Sequence, residues 1–159
     1  MKQILELIEK NAKLTPAQIA SMLERDEAQV AAEIDKMEKD GLIVGYNTLI
    51  NWEKLEEDKI TALIELKVTL QRGEGFDKVA NRICQYPHVK TVWLVSGVYD
   101  IALIAEGKNI KDIALFVAEK LATIDIVTGT STHFVLRTYK NGGNIFEKKR
   151  DDERGMIVL

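Results

Sequence analysis

Residues 15–46 read TPAQIASMLERDEAQVAAEIDKMEKDGLIVGY, and their punctuation describes two short helices across a tight turn, followed by an extended segment. Thr15 is an N-cap residue and Pro16 fits the first helical position, where a missing N–H costs nothing. Ile19, Ala20, Met22 and Leu23 give that helix an apolar side. Asp26 caps a second helix in which Val30, Ile34 and Met37 recur at steps of four and three. Gly41 suits the left-handed position after a helix, and Leu42, Ile43 and Val44 then start a strand that continues from Gly45 to Asn51. A helix pair this small needs a third element, and Ile4, Leu5 and Ile8 of the segment 4–12 supply its inward face. Three helices and a strand at this spacing make a helix-turn-helix of the winged type.

The rest of the chain changes period. Ile60, Ala62, Ile64, Leu66, Val68 and Leu70 alternate with Thr61, Glu65, Lys67 and Thr69, which is the pattern of a half-buried strand. After a turn at 71–75, Phe76, Val79, Ala80, Ile83 and Cys84 define an amphipathic helix that Pro87 ends. Strands are expected at 89–95 and 99–105. Next comes a helix capped by Asn109 and carrying Ile110, Ile113, Ala114, Val117 and Leu121, and then a long strand at 126–137. Two strand-helix-strand halves of about 35 residues nest into a four-stranded antiparallel sheet with both helices on one face. The fold class is therefore α+β: a winged helix-turn-helix over 1–51, a charged linker over 52–59, a ferredoxin-like βαββαβ domain over 60–140 and a tail over 141–159. Leu63, Trp93 and their neighbours on the helix-free face are too apolar for open solvent, which points to a second copy covering it.

Composition narrows the function. The 159 residues suit one domain or two small ones, and 46% apolar with 30% charged residues is ordinary for a globular protein. No apolar run approaches a membrane span and the first ten residues carry charges throughout, so a cytoplasmic protein is expected. The single cysteine, Cys84, forbids an internal disulfide and reads as a small core residue. One cysteine and two scattered histidines, His88 and His133, offer no metal-ligand spacing, so neither metal nor cofactor is expected. His88 reads as an exposed turn residue and His133 as a structural one.

Four stretches, in order, resemble the Lrp/AsnC regulators, also called feast/famine regulatory proteins. They are ILELIEKNAKLT (4–15), KMEKDGLIVGY (36–46), VSGVYDIAL (95–103) and VTGTSTHFVL (127–136), and the resemblance spans about residues 3–140. It implies a DNA-binding winged helix-turn-helix joined to an effector-binding ferredoxin-like domain. It also implies dimers, often assembled to octamers, in prokaryotic cytoplasm, with amino acids or related metabolites as effectors. Some relatives of this architecture decarboxylate haem precursors, but the two histidines here are badly placed for that chemistry. An enzyme is not expected.

Two sites emerge. For DNA, Thr15, Gln29, Ala32, Glu33, Lys36 and Lys39 are the candidates: Gln29 can pair with adenine, Glu33 can accept from cytosine, and the lysines can reach phosphate. Charge opposes this. Residues 1–50 hold six basic side chains against nine acidic ones, and the stretch 26–40 alone has six acids and two lysines where the family usually carries a pattern close to RRIKRL. The competing reading is an oligomeric metabolite-sensing module whose acidic helix-turn-helix binds DNA weakly or not at all. For the effector, Ser96, Gly97, Tyr99, Asp100, Thr130 and Thr132 are the candidates. Asp100 can receive an ammonium, the backbone near Gly97 can donate to a carboxylate, and Thr130 and Thr132 face the same way along one strand. In the tail, Lys148, Lys149 and Arg150 are an alternative phosphate contact, and Met156 to Leu159 an apolar docking end.

Overall fold

The computed structural model describes residues 1–55, 59–69 and 75–146. The chain divides into two compact units, Met1–Ile50 and Asn51–Leu159. In the first, α1 (Lys2–Lys10), α2 (Pro16–Leu23) and α3 (Glu27–Lys39) close on a core of Ile4, Ile19, Ala20, Val30 and Met37. Local chemistry sets the helix ends. The Thr15 hydroxyl accepts from the Gln18 N–H, and the Gln18 side chain accepts from the Thr15 N–H at 2.9 Å, a reciprocal capping box. Asp26 caps α3 through the Gln29 N–H at 3.0 Å. At the other end Gly41 is left-handed (φ 71°), the Leu42 N–H reaches the Met37 carbonyl at 2.9 Å and the Gly41 N–H reaches Glu38, which makes a Schellman stop.

Two expectations for this unit need correction. Met22 is 58% exposed, because the buried stripe of α2 runs through Ile19 and Ala20 and Met22 lies on the helix's far side. The strand expected from Leu42 does not form: the chain bends at Leu42 and Ile43, the segment makes no ladder with any described residue, and Val44 is 94% exposed. A strand needs a ladder partner for its N–H and C=O groups, whereas here the Leu42 and Ile43 N–H groups turn back onto the Met37 carbonyl at 2.9 and 3.1 Å.

In the second unit, Trp52–Leu55 forms one 3-10 turn, with the Lys59 ammonium 4.7 Å from the centre of the Trp52 ring. The strands β1 (Ile60–Val68), β2 (Val89–Leu94), β3 (Ile101–Gly107) and β4 (Val127–Phe134) form an antiparallel sheet in the order β2-β3-β1-β4. The helices α4 (Phe76–Cys84) and α5 (Ile110–Phe116), the latter continued by a π turn at Val117–Leu121, pack on one face. Ala62, Ile64, Leu66 and Val68 form the inward side of β1. The first three pair in register with Ala105, Leu103 and Ile101 of β3, and all bury in one core with Val79, Ile83, Ile113, Phe116 and Leu121. The alternate residues make the other face: Leu63 opposite Ile104 and His133, Glu65 opposite Ala102 and Ser131, and Trp93 opposite Ala102. Trp93 is 48% exposed there. This is the expected ferredoxin-like βαββαβ arrangement with an open apolar face.

Differences are local. Cys84 is exposed rather than in the core, because Phe76, Val79 and Ile83 form the inward stripe and Cys84 is carried past it at the helix end. The last strand stops at Phe134, and a two-residue hairpin, β5 (Lys140–Asn141) and β6 (Asn144–Ile145), turns on Gly142 and Gly143, both with positive φ, where a tail was expected. The Asn51 side chain donates to the Phe146 carbonyl at 3.5 Å, so this hairpin packs at the start of its own unit. Leu70, most of the turn at 71–75, part of the linker, the cluster Lys148, Lys149 and Arg150 and the apolar end at 156–159 lie outside the described residues.

Glu24, after α2, holds a left-handed conformation (φ 53°) with a side chain attached. Such a residue costs on the order of 1 kcal/mol, which glycine avoids. Glu24→Gly is expected to raise the melting temperature of the first unit by a few degrees in a calorimetric scan. A fall would show the turn to be relaxed with glutamate.

Candidate functional site

On α3 the candidates separate by what already holds them. Gln29, Ala32, Lys36 and Lys39 are exposed, and Gln29, Ala32 and Lys36 fall at i, i+3 and i+7 along one outward side. Thr15 uses its hydroxyl as the α2 cap. Glu33 is half-buried and engaged: Arg25 Nη1 donates to its Oε2 at 3.3 Å and Nη2 to its Oε1. The Arg25 bond, with the Met1 amino group at 3.2 Å adding to it, lowers the Glu33 carboxyl to about 2. Glu38 accepts from the Tyr46 hydroxyl at 2.7 Å, a bond that raises the Tyr46 pKa. Sequence reasoning missed both partners. Arg25–Glu33 and Tyr46–Glu38 each span eight residues across a helix end, and nothing local in the sequence signals them.

The effector candidates sit around the end of β1. The Val95 N–H to the Asp100 carbonyl, 2.9 Å, closes the β2–β3 hairpin, with Gly97 (φ 152°) at its tip. The Asp100 N–H donates to the Leu66 carbonyl, and its carboxylate accepts from the Val68 N–H at 2.9 Å and from the Lys67 ammonium at 3.2 Å. The Val68 N–H holds the carboxyl below its usual 3.8; partial burial opposes this and Lys67 assists it. Thr130 and Thr132 pair with Leu66 and Ile64, which turns them toward the helix side of the sheet. Asp100 stands with Lys67, out of phase with Leu66 and on the other side of β1 from β4. The hairpin tip and the β4 threonines are therefore about two strand spacings apart, roughly 10 Å, on opposite faces. One chain groups Ser96, Gly97, Tyr99 and Asp100 but does not join them to Thr130 and Thr132.

At the far end of the sheet a hollow of about 410 Å³ is lined by Lys59, Pro87, His88, Lys90, Glu106, Gly107, Lys108 and Asp112, none of them foreseen. His88 is not an exposed turn residue: its ring stacks on Phe116 at 4.8 Å, and its Nε2 lies 3.4 Å from Asp112 Oδ1. His133 lies on the open face, 3.2 Å from Glu65 Oε2 and 3.0 Å from Ser131 Oγ. Among the described residues no cluster of His, Cys, Asp or Glu could hold a metal ion, and no helix is long and apolar enough to cross a membrane.

Comparison with known proteins decides the family. Residues 61–145 match the family model described as the Lrp/AsnC ligand binding domain, and residues 1–44 match the winged helix-turn-helix DNA-binding model. The chain belongs to the Lrp/AsnC family. It is 42% identical over 156 residues to the uncharacterized HTH-type transcriptional regulator YugG of Bacillus subtilis, covering 98% of this chain and 94% of that protein. It is 31% identical over 137 residues to the HTH-type transcriptional regulator LysM of Saccharolobus solfataricus, covering 86% and 92%. Among solved structures, PH0061 superposes with a TM-score of 0.76 at 25% identity, covering 88% of this chain and 93% of that one. The NMB0573/L-Met complex from Neisseria meningitidis gives 0.70 at 19%, covering 87% and 89%, and supports the fold. This Lrp/AsnC protein is thus a transcriptional regulator, not an enzyme, with a helix-turn-helix DNA-binding domain and a ligand-binding domain.

The Asp100 clasp has a pH signature. A carboxyl with a depressed folded-state pKa contributes stability that is fully present above its ordinary value of 3.8 and is lost as pH falls through the lower folded value. Asp100→Asn is expected to lower the melting temperature at neutral pH and to flatten its decline below about pH 4. Parallel curves for the two proteins would remove the clasp from the fold's stability.

Proposed function

We propose that this regulator acts as a cytoplasmic homodimer that binds duplex DNA through α3 and responds to a free amino acid or a close relative of one. The observation that carries the dimer is the open sheet face, where Leu63, Ile104 and Trp93 lie side by side with no covering element among the described residues. A second copy laid on that face by two-fold symmetry buries it in both chains at once. The same step bears on the effector. A small ligand cannot span from Asp100 to Thr132 within one chain, so a pocket using both needs residues from a neighbouring copy. An amino acid suits the groups available: a carboxylate at Asp100, main-chain N–H groups at a glycine turn, and hydroxyls at Thr130 and Thr132. The Neisseria protein of the same fold, solved as its L-Met complex, supports the ligand class. Assembly of dimers to octamers, which the family resemblance implies, belongs to the same reading.

The acidic α3 favours a second reading, in which the helix-turn-helix binds DNA weakly or not at all. A titration of duplex DNA across salt, with and without each amino acid, separates the two. Lys36 and Lys39 from two copies, with Lys13, are the cations available. Each neutralised phosphate adds about 0.9 to the slope of log affinity against log salt, so a slope on the order of 3–5 per dimer is expected. No measurable binding at low salt favours the second reading. For assembly, sedimentation of the intact protein is expected to show a dimer or larger, and Trp93→Glu to shift it toward monomer. A monomeric parent at micromolar concentration refutes the shared-face dimer.

A further inference from the structure

Arg25 is the only arginine in residues 1–50, and it is turned along the molecule's own surface rather than out toward a partner. It occupies the turn between α2 and α3, where three neighbouring features fix its backbone. Glu24 before it is left-handed, its own N–H donates to the Ala20 carbonyl at 2.9 Å, and Asp26 after it caps α3. From there the guanidinium reaches Glu33, in the middle of α3, and meets both carboxylate oxygens with two separate nitrogens. About two-thirds of each side chain is covered, the exposures being 29% and 32%. A two-point fork of this kind fixes direction and rotation as well as distance. The Tyr46–Glu38 hydrogen bond ties the same helix near its other end to the segment after it.

We infer that Arg25 and Glu33 form a positioning pair for DNA binding, setting the direction in which α3 leaves the turn and so the presentation of Gln29, Ala32 and Lys36, while neither residue touches DNA. This rests on the proposed reading of α3 as the DNA-contacting helix. It reverses the role that sequence alone suggests for Glu33, a base-reading acceptor, and it gives Arg25 no phosphate contact. It also changes the charge balance of the interface, because Glu33 arrives there already neutralised by its partner.

The test uses the full chain, a mixed-sequence DNA duplex and a salt titration, at a temperature where calorimetry shows each variant folded. Glu33→Gln removes an acid from the recognition helix, so charge counting alone predicts tighter binding. The pair predicts several-fold weaker binding with an unchanged salt slope. Arg25→Gln is expected to weaken binding by the same amount, again without changing the slope, whereas a lost phosphate contact lowers it by about 0.9 per contact. The double variant is expected to lose no more than either single one, as partners in one interaction do. Arg25→Lys keeps the charge without the fork and is expected to recover part of the loss. Tighter binding by Glu33→Gln, or a reduced slope in Arg25→Gln, overturns the inference. If the parent protein binds no duplex at all, the DNA reading fails separately. Amide hydrogen exchange in the free protein then decides the pair: both single variants are expected to speed exchange at the turn and in the first half of α3, and unchanged exchange overturns it.

Discussion

Strand β1 lies at the centre of the sheet, hydrogen-bonded to β3 on one side and β4 on the other, and the second unit is arranged by its strict alternation. One set of its side chains, Ala62 to Val68, is the floor on which both helices pack. The other set, Leu63, Glu65 and Lys67, furnishes the open face and the partner of Asp100. Because side chains alternate with a period of two, a slip of one residue in β1 would bring Glu65 and Lys67 under the helices. The core, the open face and the Asp100 clasp therefore share one register and cannot be changed independently.

In the first unit the governing constraint is electrostatic. Nine acids against six bases form an unfavourable surface for a DNA-binding helix, yet several of these acids are held internally. Asp26 caps α3, Glu33 holds Arg25, and Glu38 holds Tyr46. Of these, Glu33 is paired with a cation, Arg25, while Asp26 and Glu38 accept from neutral donors, and Gln29, Ala32, Lys36 and Lys39 are left exposed.

Features that depend on near neighbours are legible in the sequence. The caps at Thr15, Asp26 and Asn109, the left-handed Gly41 and the two periods all obey local rules, and the ferredoxin-like topology comes from their order. Features that lie between elements are not legible there. Thr130 and Thr132 face the same way along β4, as their spacing requires, but only the pairing with Leu66 and Ile64 reveals that they face away from Asp100. His88 reads as a turn residue because Phe116, on which it stacks, is remote in sequence. Cys84 and Met22 fit apolar stripes that are narrower in the folded unit than a helical wheel allows. The segment after Gly41 has the composition of a strand but no neighbour among the described residues to complete it.

At the Val68 amide a side chain stands in for a strand. β1 runs past the start of β3, and where the next main-chain carbonyl would be, the Asp100 carboxylate accepts the bond. A carbonyl is a permanent acceptor that only unfolding can withdraw. A carboxylate on a rotatable stem can be drawn off by a competing cation while the rest of the ladder stays intact. The resonance of that single N–H is therefore a natural reporter, sensitive to whatever claims Asp100 and silent to events elsewhere in the sheet.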